Sequence, residues 1–102
     1  MHSPDSRLMR TVNDQVLMEA FATELKAARS RLSISQEELA GLAEVNRTFV
    51  GKIETGVNQP SLCTLVRLAR GLGMEPAELL ANTVAREAKE LVIRAQKDSK
   101  PE

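Results

Sequence analysis

Residues 35–54, SQEELAGLAEVNRTFVGKIE, limit what this chain can fold into more than any other stretch. Ser35 and Glu38 fit a capping box, in which each side chain satisfies the other's backbone N–H and so starts a helix. Leu39, Ala40, Leu42 and Ala43 are expected to give that helix a buried side. Glu44-Val45 turns the chain, and Asn46 is placed to cap a second helix. That helix is expected over Arg47 to Thr55, ending at Gly56, a residue suited to a left-handed C′ position. Two short helices crossing this closely need a small residue where they touch, which Ala40 supplies, and an apolar plug in the turn, which Val45 supplies. Val50 and Ile53 then point inward. The same spacing turns Arg47, Thr48, Gly51, Lys52 and Thr55 outward.

The rest of the chain reads as more helix. The chain has 102 residues, 42% of them apolar, and its only aromatics are Phe21 and Phe49. Leu, Val, Ile and Ala at helical spacing must therefore fill the core. No alternating Val/Ile/Thr run of strand length occurs, so the fold class is all-α. A first helix is expected from about Asp14 to Leu32, capped by Asn13 or Thr11. Leu17, Phe21, Leu25, Ala28 and Leu32 form its apolar stripe. Phe49 reads as core cover. After a loop over 56–60, Ser61 caps a helix from Leu62 to Leu72, closed by Gly73, with Leu62, Leu65, Val66, Leu68, Ala69 and Leu72 toward the core. Pro76 opens a helix to about Ala81, and a last helix is expected from Thr83 to Lys97. The organisation is a flexible arm (1–12), a helical domain (13–81) and a C-terminal helix and tail (82–102).

Composition narrows the function classes. Formal net charge is zero, and residues 15–81 hold seven Lys/Arg against eight Asp/Glu. Any affinity for a polyanion must come from local placement of charge rather than bulk charge. His2 is the only histidine and Cys63 the only cysteine. There is no metal-ligand cluster, no Gly-rich phosphate loop and no nucleophile–base pairing, so neither an enzyme nor a cofactor is expected. Cys63 is read as a partly buried, inert thiol. No apolar run is long enough to span a membrane and the N-terminus does not read as a signal peptide, so a cytoplasmic location is expected.

The 35–55 pattern is the layout of a helix-turn-helix, whose second helix enters the DNA major groove. Further motifs fall in order around it: L-K-A-A-R at 25–29, S-Q-E-E-L-A at 35–40, V-N-R-T-F-V-G-K-I-E at 45–54, Gly56, P-S-L at 60–62 and L-A-R-G-L-G-M-E-P-A-E-L at 68–79. Together they resemble the Xre-type, phage-lambda-repressor-like helix-turn-helix transcriptional regulators over roughly residues 21–80. The stretch N-R-T-F-V-G-K-I-E is also similar to restriction–modification controller proteins. The resemblance implies a five-helix lambda-repressor-like DNA-binding domain, here with a C-terminal helical extension. It also implies a reader helix at Arg47–Thr55 and, usually, a homodimer.

Carried onto matching positions, the resemblance implies that Gln36 contacts a phosphate and buttresses the reader helix. Arg47 and Thr48 reach base edges, Arg47 with the donors to pair with guanine O6 and N7. Lys52 reaches a base or phosphate one turn on, and Asn58 and Gln59 contact phosphates. Asn46, Gly51 and Thr55 complete the DNA-facing set, Gly51 by allowing close approach. Arg7 and Arg10 of the arm are further DNA candidates. Arg29 and Glu54 match a partly buried ion pair of structural role. Glu44 and Ser33 stand where the family usually has glycine; a left-handed Glu44 would cost roughly 1–2 kcal/mol, so the turn there is expected to be slightly reshaped, and neither change removes a DNA-facing group.

The leading functional expectation is a homodimeric regulator of transcription on a palindromic operator in double-stranded DNA. Met74, Leu79, Leu80, Val84, Leu91 and Val92 are its expected dimer surface. The other reading is an antitoxin whose 83–97 helix wraps a protein partner while the reader helix autoregulates the operon.

Overall fold

Short-range hydrogen bonding sets where the helices start and stop. The computed structural model describes the backbone of residues 6–98 and the side chains of residues 14–98. Five helices are present among the described residues: α1 (Ser6–Arg31), α2 (Gln36–Ala43), α3 (Arg47–Glu54), α4 (Leu62–Gly71) and α5 (Pro76–Asp98). Ser35 caps α2 in a complete capping box. The Glu38 N–H donates to Ser35 Oγ at 3.0 Å, and the Ser35 N–H donates to Glu38 Oε1 at 2.8 Å. Asn46 caps α3 by accepting the Thr48 N–H on Oδ1 at 2.8 Å. Ser61 caps α4 by accepting the Thr64 N–H at 3.1 Å. Gly56 and Gly73 follow α3 and α4 with φ of 78° and 70°, left-handed values that stop a helix at little cost only for glycine. Ser33 and Glu44 adopt the same region, at φ 57° and 59°, where a side chain costs about 1–2 kcal/mol.

Two helices are longer than the sequence pattern indicates. The backbone of α1 begins at Ser6, not Asp14, so Thr11 and Asn13 are not caps and residues 6–12 are not a loose arm. Pro4 is the last helix breaker before Arg31, and nothing after it forces a start. The side chains of Arg7 and Arg10, with His2, lie outside the described residues. At the other end, α5 runs unbroken from Pro76 to Asp98 where two helices are expected. Asn82 and Thr83 do not interrupt it because their side chains are used elsewhere. The Thr83 hydroxyl donates to the Leu79 carbonyl at 2.9 Å, and the Asn82 amide donates to Glu24 at 3.1 Å.

The core lies where α1, α2, α3, α4 and the first turns of α5 meet. Leu25, Leu39, Val50, Leu68 and Leu79 are at 0% exposure, with Phe21, Ala28, Ala40, Ala43, Ile53, Ala69 and Leu72 around them. Val45 and Phe49 pack against this cluster from its edge, as plug and cover. α1 lies along α5, while α2 packs on both α3 and α4. The contact between α4 and α2 depends on Gly71. A Cβ there would sit 3.1 Å from the Ala43 nitrogen and 3.3 Å from its Cα, so any side chain pushes the two helices apart.

Four positions expected in the core or partly buried are exposed. Leu42 is 61% and Leu62 77% exposed, and Cys63 is exposed rather than partly buried. α2 presents Leu39, Ala40 and Ala43 to its neighbours, which leaves Leu42 on the outer side of an eight-residue helix. Leu62 and Cys63 occupy the first turn of α4, whose buried residues, Leu68 and Ala69, come later in the helix. Leu32 lies past the end of α1 and is 49% exposed.

Candidate nucleic-acid interface

α3 is anchored on one side and open on the other. Val50 and Ile53 fix the inner side at 0% and 1% exposure. Arg47, Thr48, Lys52 and Thr55 lie on the exposed side. No ion pair among the described residues engages Arg47 or Lys52, so both positive charges are available to an external anion. Thr55 spends its hydroxyl on the Lys52 carbonyl at 3.0 Å, and the exposed Asn46 spends its Oδ1 on the cap. Asn58 is half-buried and Gln59 exposed in the loop that follows.

Gly51 faces Gln36, whose Oε1 would be 3.6 Å from a Cβ built at that position. That is ordinary contact, so alanine would fit and the packing of the domain does not demand glycine here. Glycine in a helix interior costs roughly 0.5–1 kcal/mol relative to alanine.

Beneath α3 lies a buried charge network. Glu54 is 4% exposed and receives Arg29 in a fork, with Nε to Oε2 at 2.7 Å and NH2 to Oε1 at 3.0 Å. Arg29 NH1 also donates to the Ile34 carbonyl at 2.8 Å, tying down the turn before α2. Gln36 Nε2 donates to Glu54 Oε1 at 3.0 Å, so the α2 N-terminus is braced against α3. Burial pushes the Glu54 carboxyl up, but hydrogen bonds from Arg29 and Gln36, with the nearby charges of Arg29 and Lys26, outweigh it and leave the group below its ordinary value. The Arg29 guanidinium is raised, first by its hydrogen bond to Glu54. The network joins α1, α2 and α3 into one body, as the Arg29–Glu54 match implies.

A second buried carboxylate has no counterpart in the sequence reading. Glu24 is 2% exposed and accepts from Arg86 Nε at 2.8 Å, Asn82 Nδ2 at 3.1 Å and Arg31 NH2 at 3.3 Å. Its partners in α5 lie 58 and 62 residues away in sequence, so no local pattern shows them. The one available signal is a glutamate on the apolar side of a helix, between Ala20, Phe21, Leu25 and Ala28.

The residues expected at a dimer surface divide. Leu80, Val84 and Val92 are exposed at 47%, 46% and 56%, and Met74 and Leu91 are half-buried. Leu79 is at 0% exposure inside the core and belongs to no surface. Among the described residues no helix is long and apolar enough to cross a membrane.

A tight two-helix turn that presents an exposed polar helix, braced from below by a buried ion pair, is the arrangement of a helix-turn-helix DNA-binding domain. The chain belongs to the helix-turn-helix family of DNA-binding transcriptional regulators: the family model described as a helix-turn-helix domain matches residues 20–81. Control protein C.BamHI of Bacillus amyloliquefaciens is 35% identical over 61 residues, which is 59% of this chain and 75% of that protein. The crystal structure of the restriction-modification controller protein C.AhdI from Aeromonas hydrophila superimposes with a TM-score of 0.59 at 37% identity, covering 61% of this chain and 94% of that one. The clp gene regulator ClgR from Corynebacterium glutamicum shares the fold at a TM-score of 0.69 and 24% identity, covering 84% of this chain and 96% of that one.

Proposed function

We propose that the protein acts as a homodimer on a palindromic operator, each chain laying α3 in one major groove. The observation that carries this reading is the exposed face of α3, where Arg47 and Lys52 have no ion-pair partner among the described residues while Val50 and Ile53 anchor the helix in the core. Arg47 is the specificity residue, donating to guanine O6 and N7, and Thr48 reads the adjacent edge. Lys52 contacts a base or phosphate one turn further on. Gln36, Asn46, Asn58 and Gln59 set the register on the phosphate backbone through their amide N–H groups, while Thr55, whose hydroxyl donates to the Lys52 carbonyl, lines the same face. Gly51 permits close approach of the helix to the duplex.

The dimer surface in this reading is the outer side of α5, with Leu80, Val84, Leu91 and Val92, and Met74 at its base. A chain of zero net charge gains little from unspecific phosphate attraction. Pairing supplies the missing affinity, because the second half-site is bound at high effective concentration. Similarity to control proteins and transcriptional regulators favours this reading over an antitoxin; in this reading the protein works where the DNA is, in the cytoplasm.

Sedimentation of the protein with a duplex carrying its preferred sequence tests the proposal. Two chains per duplex are expected, with a steep loss of binding when either half-site is scrambled. One chain per duplex, indifferent to the second half-site, would contradict it.

A further inference from the structure

We infer that Glu24 is a positioning residue that fixes the direction in which α5 leaves the DNA-reading half, and through it the half-site spacing that a pair of chains accepts. The inference rests on the paired reading proposed above.

The family match ends at residue 81, and the next turn of α5 supplies two of the three groups on Glu24, Asn82 and Arg86. The third, Arg31, is the last residue of α1. Past this point α5 contributes no buried apolar residue of its own, although Val16 and Ala20 of α1, at 1% and 7% exposure, line the seam between the two helices. Leu79 is the last buried apolar residue of the helix, Thr83 is its last buried residue of any kind, and nothing described after it is buried. Further out, α1 and α5 flank an open groove between Val16, Ala20 and Ile93. An ion pair between Arg94 and Glu19 at 3.0 Å bridges them, with both side chains more than two-fifths exposed.

Apolar contact has no preferred direction, whereas hydrogen bonds from a guanidinium and an amide to a desolvated carboxylate do. The angle between α5 and α1 is therefore set at Glu24. Beyond Arg86 the helix extends about 18 Å, so a swing of about 20° there moves its end by about 6 Å. That is close to two base-pair steps of about 3.4 Å. Exposed Val92 lies on this arm, where a second copy would meet it.

The test uses the full chain and duplexes that carry two inverted copies of the preferred half-site, with their separation varied one base pair at a time. The wild-type protein is expected to bind one separation at least about tenfold more tightly than its neighbours. Glu24→Gln and Arg86→Gln, both checked for fold by circular dichroism, are expected to bind an isolated half-site as the wild type does while losing most of that preference or shifting its optimum. A role confined to stability would leave the spacing profile unchanged in the folded variants, and that result overturns the inference. Arg86 is half-exposed, so its variant decides the question if Glu24→Gln fails to fold. A wild-type protein indifferent to spacing overturns the paired reading, and the inference with it.

Discussion

Two glutamates, Glu54 and Glu24, are buried to nearly the same degree and answered by arginine, yet they do different work. Arg29, which holds Glu54, and Glu24 itself are five residues apart on α1, about 140° around the helix. α1 is thus a strut between two bodies. On one side Arg29 binds the α2–α3 pair through a forked contact that includes Gln36. On the other, Glu24 binds the continuation of α5. The first joint is dry at both ends, since the Arg29 side chain is 17% and the Glu54 side chain 1% exposed. The second is dry only at the carboxylate, because the Arg31 and Arg86 side chains are 57% and 39% exposed. The same chemistry yields a rigid joint where both partners are desolvated and a softer one where the cations still touch water.

Breaking the first joint should therefore have the largest effect. Arg29→Met strands the Glu54 carboxylate with only Gln36 for company and is expected to cost about 3–5 kcal/mol. A chemical denaturation curve measures the loss, and a cost near that of a surface substitution would show the pair to be ornamental.

Glu24→Gln should cost less, about 1–2 kcal/mol, because Arg31 and Arg86 can turn to solvent. Equal losses at the two sites would erase the distinction between a dry and a half-wet joint.

Acid sharpens the same contrast. Burial raises the Glu24 carboxyl, but hydrogen bonds from Arg86, Asn82 and Arg31 and the charge of Arg86 more than offset it, so Glu24, like Glu54, lies below the ordinary glutamate value of 4.5 when folded. Below that value the unfolded chain takes up protons that the folded chain refuses. Stability is thus fully present above pH 4.5 and is lost as pH falls through the folded values. Glu54→Gln should flatten the acid limb of the stability curve measured by thermal melts, at the expense of stability near neutral pH. An unchanged acid limb would mean that other carboxylates dominate it.

The smallest expected effect separates fold from function on α3. Gly51→Ala meets no obstacle inside the domain and should stabilise it by about 0.5–1 kcal/mol, while weakening DNA binding if the helix backbone approaches the duplex closely. Stabilisation with unchanged DNA affinity would leave Gly51 without a functional role.

Much of the DNA-reading half is legible in the sequence because its determinants are local. Ser35 with Glu38, Asn46 and Ser61 satisfy backbone N–H groups two or three residues away, and Val50 with Ile53 define a face within one turn. The left-handed turn at Glu44 shows only through the resemblance, as a departure from the family's glycine, and the one at Ser33 emerges from the structure. What escapes the sequence depends on distant partners. Asn82 and Thr83 look able to interrupt a helix, yet one bonds to Glu24 across the fold and the other to its own preceding turn, so α5 continues. Leu42, Leu62 and Leu79 are chemically alike, and only the placement of neighbouring helices decides that two are exposed and one is sealed in the core. Glu24 is invisible for the same reason, since its burial is created by a helix that arrives some sixty residues later.

The central claim is that the exposed face of α3 reads DNA sequence and that two chains do so together. Selection from a pool of randomised duplex DNA, run in parallel with the wild-type protein and Arg47→Ala, tests it most directly. The wild type should enrich an inverted repeat with half-sites about one helical turn, about 34 Å, apart. Arg47→Ala, folded by circular dichroism, should lose the preference at one position of each half-site, worth about 1–3 kcal/mol. Enrichment of the same repeat by both proteins, or of none by the wild type at low salt, would contradict the account.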